Sequence, residues 1–197
     1  MHLVIANRIA EDLSIKDKTS FLLGGIAADA VSPKDLSHFY KGDVIDYSRY
    51  IDYKEFIHKY FNHKDAHYIQ GYYTHLIADD IWLKGFYLPW LKNRMEVDEN
   101  IFSRYHNDFQ LLNGKILDYY GITIQLRESL RKTGTIIETE EVKSNDIQEL
   151  IPYLIDDMDY DVEDLKQSLT VFTFEQIIGY IETSVDKGLM HIKSLMS

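Results

Sequence analysis

Apolar positions along this chain recur mostly at helical spacing, and seldom at the alternation that marks strands. His2, Ile5, Ile9 and Leu13 share one face, so a first helix is expected from the very start. The run from Phe21 to Val31 is apolar or small throughout except for Asp29. Thr19 and Ser20 stand ahead of it as N-cap candidates. Gly24 and Gly25 within it lower helix propensity but let a second helix come close. Residues 32–50, "SPKDLSHFYKGDVIDYSRY", read as a long loop, and loops of that length in compact domains are often functional. A short helix near 52–61 follows. A long one runs from about 65 to 88, where Pro89 is expected to end it. The next, 98–120, carries Phe102, Tyr105, Phe109, Leu112, Ile116 and Tyr119 as its core stripe and stops at Gly121. Beyond it, "GITIQLRESLRKTG", "NDIQELIPYLIDDM" and "TFEQIIGYIETSVDKGLMHIKSLM" have helical patterning, whereas "TGTIIETEEV" looks like a strand without a partner. The fold class expected is all-α, a multi-helix bundle in one domain spanning 1–197.

Composition sharpens this picture. Three prolines and ten glycines in 197 residues favour long helices, and 45% hydrophobic residues suffice for a core. Lys and Arg number 21 against 32 Asp and Glu, a net charge of −11. Nucleic acid is therefore not an expected partner, since phosphate backbones need clustered cations. Docking on anionic membranes is disfavoured for the same reason. No stretch of about 18 apolar residues offers a transmembrane segment, and the start lacks a basic region followed by a long apolar one, so a cytoplasmic protein is expected. With no cysteine, any metal must be held by His, Asp and Glu.

The candidate chemistry lies in "AHYIQGYYTHLIADDIW", 66–82. Its apolar residues cover nearly every side, as in a central buried helix, yet it contains His75, Asp79 and Asp80. An ionised carboxylate is costly there unless it is paired or binds a metal. His75 and Asp79 are four apart, one turn on one face, the spacing at which two side chains grip one ion. Taken alone, H-x-x-x-D reads more often as a His–Asp hydrogen bond, or as an Asp79 pair with a cation such as Arg8. Repetition changes the balance. Asp29 is the one charge in a second apolar helix, His2 lies on the inward face of the first, and His38 sits in the long loop. His106 and Asp108 flank the stripe of the helix after the central one. His67, two turns before His75, and Asp80 are further supporting positions. His58, His63 and His191 read as solvated. "DMDYDVEDLKQS" begins like a calcium loop, but Val162 and Ser168 stand where Gly and Glu are required.

"FLLGGIAADA", then "SHF", then "GYYTHLIADDIW", behind an N-terminal "H-x-x-I-A", resemble the zinc-dependent phospholipase C family over roughly residues 2–108. The resemblance implies an all-α fold with zinc between helices and hydrolysis of phosphodiesters by a metal-activated water. It implies His2, Asp29, His38, His75 and Asp79 as metal ligands, with Asp29 bridging ions or acting as general base. It makes 1–120 the metal-site core and leaves 121–197 a helical part without a functional motif. The chain also departs from the family pattern. Ala28 replaces the proline before the aspartate, no His occurs between His75 and His106, and Gln110 stands where a glutamate is usual. One or two ions, zinc or else iron or manganese, are thus expected rather than three. The substrate expected is a small phosphoester or phospholipid-like molecule, with Phe39, Tyr40, Tyr72, Trp82 and Tyr105 either excluding water and holding an apolar group or simply packing the core. A homodimer is left open. The alternative is a non-catalytic metal-binding or helical interaction protein with a degenerate site. Phosphohydrolases of the HD type need an adjacent His–Asp pair, which is absent here.

Overall fold

A computed structural model describes residues 1–196. The fold is all-α. Its order is α1 (His2–Asp12), α2 (Lys18–Ala27), a hairpin loop, α3 (Tyr53–Lys59), α4 (His67–Trp82), α5 (Lys92–Val97), α6 (Ile101–Tyr120), α7 (Thr123–Leu130), α8 (Ser144–Asp156) and α9 (Phe174–Met196). Among the described residues, strand pairing is confined to Tyr40–Lys41 against Tyr50–Ile51, antiparallel, which closes the 32–50 loop into a hairpin. The stretch 132–142 makes no strand pairing: the β-branched residues of "TGTIIETEEV" form an irregular connection, tied locally by Thr139 and Val142 and to Ser20, Lys59 and Tyr60 by side chains.

The centre of the molecule is α4, packed against α1, α2, α3 and α9. Tyr68, Ile69, Tyr72, Leu76 and Ala78 are fully buried along it. The closest seam is α2 against α4, and two glycines make it. A Cβ on Gly24 would lie 1.9 Å from the Tyr68 carbonyl oxygen, and one on Gly71 would lie 2.0 Å from that of Phe21. The two backbones therefore touch where any side chain would hold them apart. That approach brings the last turn of α2 beside His75.

Several boundaries differ from expectation, each for a local reason. The cap of α2 is Asp17, whose carboxylate accepts from the Ser20 backbone N–H at 3.1 Å and from the Ser20 hydroxyl. The helix does not end before Pro89. It widens into a π-helical stretch, Leu83–Leu91, and continues as α5. A wider turn relieves the clash of the proline ring with the carbonyl four residues back. On α6, Leu112 and Ile116 are buried, but Phe102 and Tyr119 at the ends of the expected stripe are 61% and 59% exposed. A 20-residue helix outruns the core it packs on, so its terminal turns face solvent. Gly121 ends α6 with φ +65° in the left-handed conformation. No described helix is long and apolar enough to cross a membrane.

Candidate metal centre

Four segments deliver five side chains to one point. His2 comes from the first turn of α1, Asp29 from a 3₁₀ turn that extends α2, His38 from the loop, and His75 and Asp79 from successive turns of α4. The Asp79 carboxylate is central. Its Oδ1 lies 3.0 Å from His2 Nε2, and its Oδ2 lies 3.1 Å from His38 Nε2 and 3.2 Å from His75 Nε2. Asp29 closes the ring, with Oδ1 3.6 Å from His38 Nε2 and Oδ2 3.9 Å from His75 Nε2. His2 stacks on His75 with centroids 3.8 Å apart. Arg8, the alternative partner for Asp79, instead pairs with Glu182 at 2.6 Å.

The surroundings fix which nitrogens face the ring. His75 Nδ1 stands 2.9 Å from the Gly25 carbonyl oxygen, which has no helical partner at the end of α2. His38 Nδ1 stands 3.1 Å from the Lys34 carbonyl oxygen. A carbonyl only accepts, so in each ring Nδ1 carries the hydrogen and, in the neutral form, Nε2 presents a lone pair. The loop that holds His38 is itself pinned: the Ser37 hydroxyl donates to the Ala28 carbonyl at 2.8 Å, and the Tyr72 hydroxyl to the Ser37 carbonyl at 2.7 Å.

Lone pairs on imidazoles facing carboxylate oxygens repel unless something positive lies between them. His75 Nε2 is buried and makes no hydrogen bond. Burial, with His75 beside it, lowers the pKa of His2, so His2 stays neutral. Burial works against charge on His38 too, but the Asp29 and Asp79 carboxylates outweigh it and raise its pKa to about 9. Burial would raise the pKa values of Asp29 and Asp79, but the facing histidines, with Lys34 near Asp29, hold both below the usual carboxylate range. Counting one proton on His38, two carboxylates and a neutral His2, the set still favours a cation.

The donor spacing fits one. Donors about 2.1 Å from an ion stand about 3.0 Å apart at a right angle and about 3.4 Å apart at the tetrahedral angle. The edges here run from 3.0 to 3.9 Å. His2, His75 and Asp79 form one suitable group, and Asp29, His38 and His75 a second. Imidazole and carboxylate suit zinc, iron or manganese.

The centre opens into a cleft of about 760 Å³. Asp29 and Asp79 keep 32% and 16% of their side chains exposed, so the ring is reachable from solvent. Trp82, Tyr105, Phe109 and Tyr180 give it an aromatic lining, with Leu150 and Leu154 of α8. Lys34 and Arg49 line it as well.

The other sequence candidates lie elsewhere. His67 opens α4, about 12 Å of helix axis before His75. Asp80 turns away from the ring, accepting from the Ile51 N–H at 3.4 Å and pairing with Lys84 at 2.6 Å. His106 is exposed and packs edge-on against Phe102 and Tyr105. Asp108 is fully buried, but it clasps the backbone N–H groups of Thr170, Val171 and Phe172 at 2.7–3.1 Å. Its charge is already satisfied. His191 is half-buried rather than solvated, with its Nδ1 3.1 Å from the Tyr73 hydroxyl. Lys34 and Arg49 were not among the sequence candidates; the one available signal was their place as cations in the loop that holds His38.

Compared with known proteins, the chain matches no family model, no curated protein and no solved structure.

Proposed function

We propose that this chain is a metal-dependent phosphoric ester hydrolase, using one or two ions, with zinc first and iron or manganese as alternatives. The observation that carries the reading is the orphaned His75 Nε2, aimed with two other imidazole nitrogens at two carboxylates in an open cleft. His2, His38, His75 and Asp79 would hold the metal, and Asp29 would share in it. When bound, such an ion polarises a phosphoryl oxygen and acidifies water.

The chain's own residues do the rest. Asp29 is the more exposed of the two carboxylates and faces the cleft, so it is placed to accept a proton from an attacking water. Asp79, gripped by three histidines, is placed to stay ionised. The aromatic wall from Trp82 to Phe109 excludes bulk water and offers a flat apolar surface for the leaving group. The substrate expected is a small phosphodiester, and the setting expected is the cytoplasm.

The test is hydrolysis of bis(p-nitrophenyl) phosphate by the metal-loaded protein. Turnover should vanish on chelation, return on adding metal, and be absent in His75→Ala and Asp29→Ala. One observation favours a second reading, a metal-binding protein without turnover: five donors on edges this short can occupy nearly all the positions around a single ion. Tight metal uptake with no hydrolysis of any phosphoester would favour that reading.

A further inference from the structure

The two cations that line the cleft are bound to the centre by different means. Lys34 Nζ lies 2.5 Å from Asp29 Oδ1. The Arg49 guanidinium lies 4.0 Å from the Tyr40 ring centroid, and the Tyr40 ring stacks on His38 with centroids 5.5 Å apart and 6° between the planes. Lys34 is thus joined to one of the five residues by charge, and Arg49 to another through a stack of rings. Both come from the loop that carries His38, so one segment supplies a donor and both cations. Their acidic partners leave them available. Lys34 is over half exposed, and the Asp35 partner of Arg49 is mostly exposed and does not line the cleft. In a chain of net charge −11, the Asp, Glu, Lys and Arg side chains lining this cleft are two carboxylates and these two cations. A divalent ion held by neutral histidines would neutralise the carboxylates, leaving Lys34 and Arg49 as an excess of two positive charges.

We infer that Lys34 and Arg49 are the specificity-determining pair of this site: they hold the non-bridging oxygens of an anionic phosphoryl group and so select phosphate esters over neutral esters. The inference rests on the phosphoester reading above. Lys34 stands nearest the reacting centre and meets the phosphoryl group as a point charge. Arg49, held over the Tyr40 ring, offers the paired N–H donors that match two phosphate oxygens. Because both act on ground-state charge, their loss should appear in KM more than in kcat.

The experiment measures binding of inorganic phosphate to the purified full chain by calorimetry, and kinetics on bis(p-nitrophenyl) phosphate and on p-nitrophenyl acetate. Lys34→Gln and Arg49→Gln should each weaken phosphate binding and raise KM for the phosphodiester about tenfold. Metal content and any acetate hydrolysis should stay at the wild-type level, and Lys34→Arg should restore much of the binding. Phosphate binding unchanged in both variants would overturn the inference. So would a wild-type protein that binds no phosphate, or a Lys34→Gln protein whose metal content and kcat fall while KM stays constant, since that marks a merely structural tie to Asp29. Phosphate binding that depends on both cations, in a protein that hydrolyses nothing, would uphold the pair and topple only the hydrolase.

Discussion

Two buried carboxylates in this molecule have opposite surroundings. Asp108, on α6, receives three backbone N–H groups from 170–172 and the Thr170 hydroxyl. Asp79, on α4, faces three imidazole nitrogens, and one of them, the buried Nε2 of His75, is set by its Nδ1 partner to present a lone pair and makes no hydrogen bond. A carboxylate surrounded by donors is complete and holds two segments together. One that faces an unpartnered nitrogen lone pair, with a second carboxylate beside it, is incomplete and calls for a cation. Burial alone does not separate the two cases; the hydrogen on the facing atom does.

The sharpest way to test that contrast is to remove the satisfied group. Asp108→Ala leaves three backbone N–H groups of the 170–172 segment without their partner. Chemical denaturation should show a loss of about 4 kcal/mol, while the folded protein takes up metal as before. A loss of metal in that variant would mean the two regions are not independent.

Next comes the seam that sets the incomplete group in place. Gly71→Ala puts a methyl group where the Phe21 carbonyl stands 2.0 Å away. The backbones must separate, at about 3 kcal/mol, and His75 should move from the Gly25 carbonyl with a fall in metal affinity. Metal titration of this variant against wild type checks it. Normal affinity would show that the interlock is not what positions His75.

The cation itself should stabilise the fold. At a hundredfold excess over Kd, a bound metal adds about 2.7 kcal/mol, read as a rise in Tm on loading and a fall on chelation. His75→Ala should show no such response. The smallest effect belongs to a carboxylate of a third kind. Glu182 pairs with Arg8 and the Tyr120 hydroxyl at a half-exposed site, and the Arg8 guanidinium holds its pKa below the usual range. Glu182→Gln should cost under about 1 kcal/mol, more of it at low salt than at high.

The contrast also shows what was legible in the sequence. Helical spacing located α1, α4 and α6, and lone charges in apolar runs picked out Asp29, His75 and Asp79, because burying charge is costly whatever its neighbours. The same rule selected Asp108 and Asp80 equally well, since it registers burial and is blind to the partner. Residues 170–172, which satisfy Asp108, lie over 60 positions away and carry no motif. Lys34 and Arg49 were illegible for the opposite reason: a cation in a loop costs nothing to expose, so its place above the cleft emerges only when the hairpin closes. The ends of α6 were misjudged because periodicity reports which face is apolar, and not how far the core extends beneath it.

The most direct test of the central claim is the metal content of purified protein by mass spectrometry, for the wild type and for Asp29→Ala, His75→Ala and Asp108→Asn. The account predicts one or two zinc, iron or manganese ions per chain in the wild type and in folded Asp108→Asn, and their loss in the other two. A wild-type protein that is metal-free and takes up no ion from micromolar solutions of those metals would contradict it. His2, Asp29, His38, His75 and Asp79 would then be a structural network of protonated histidines and carboxylates.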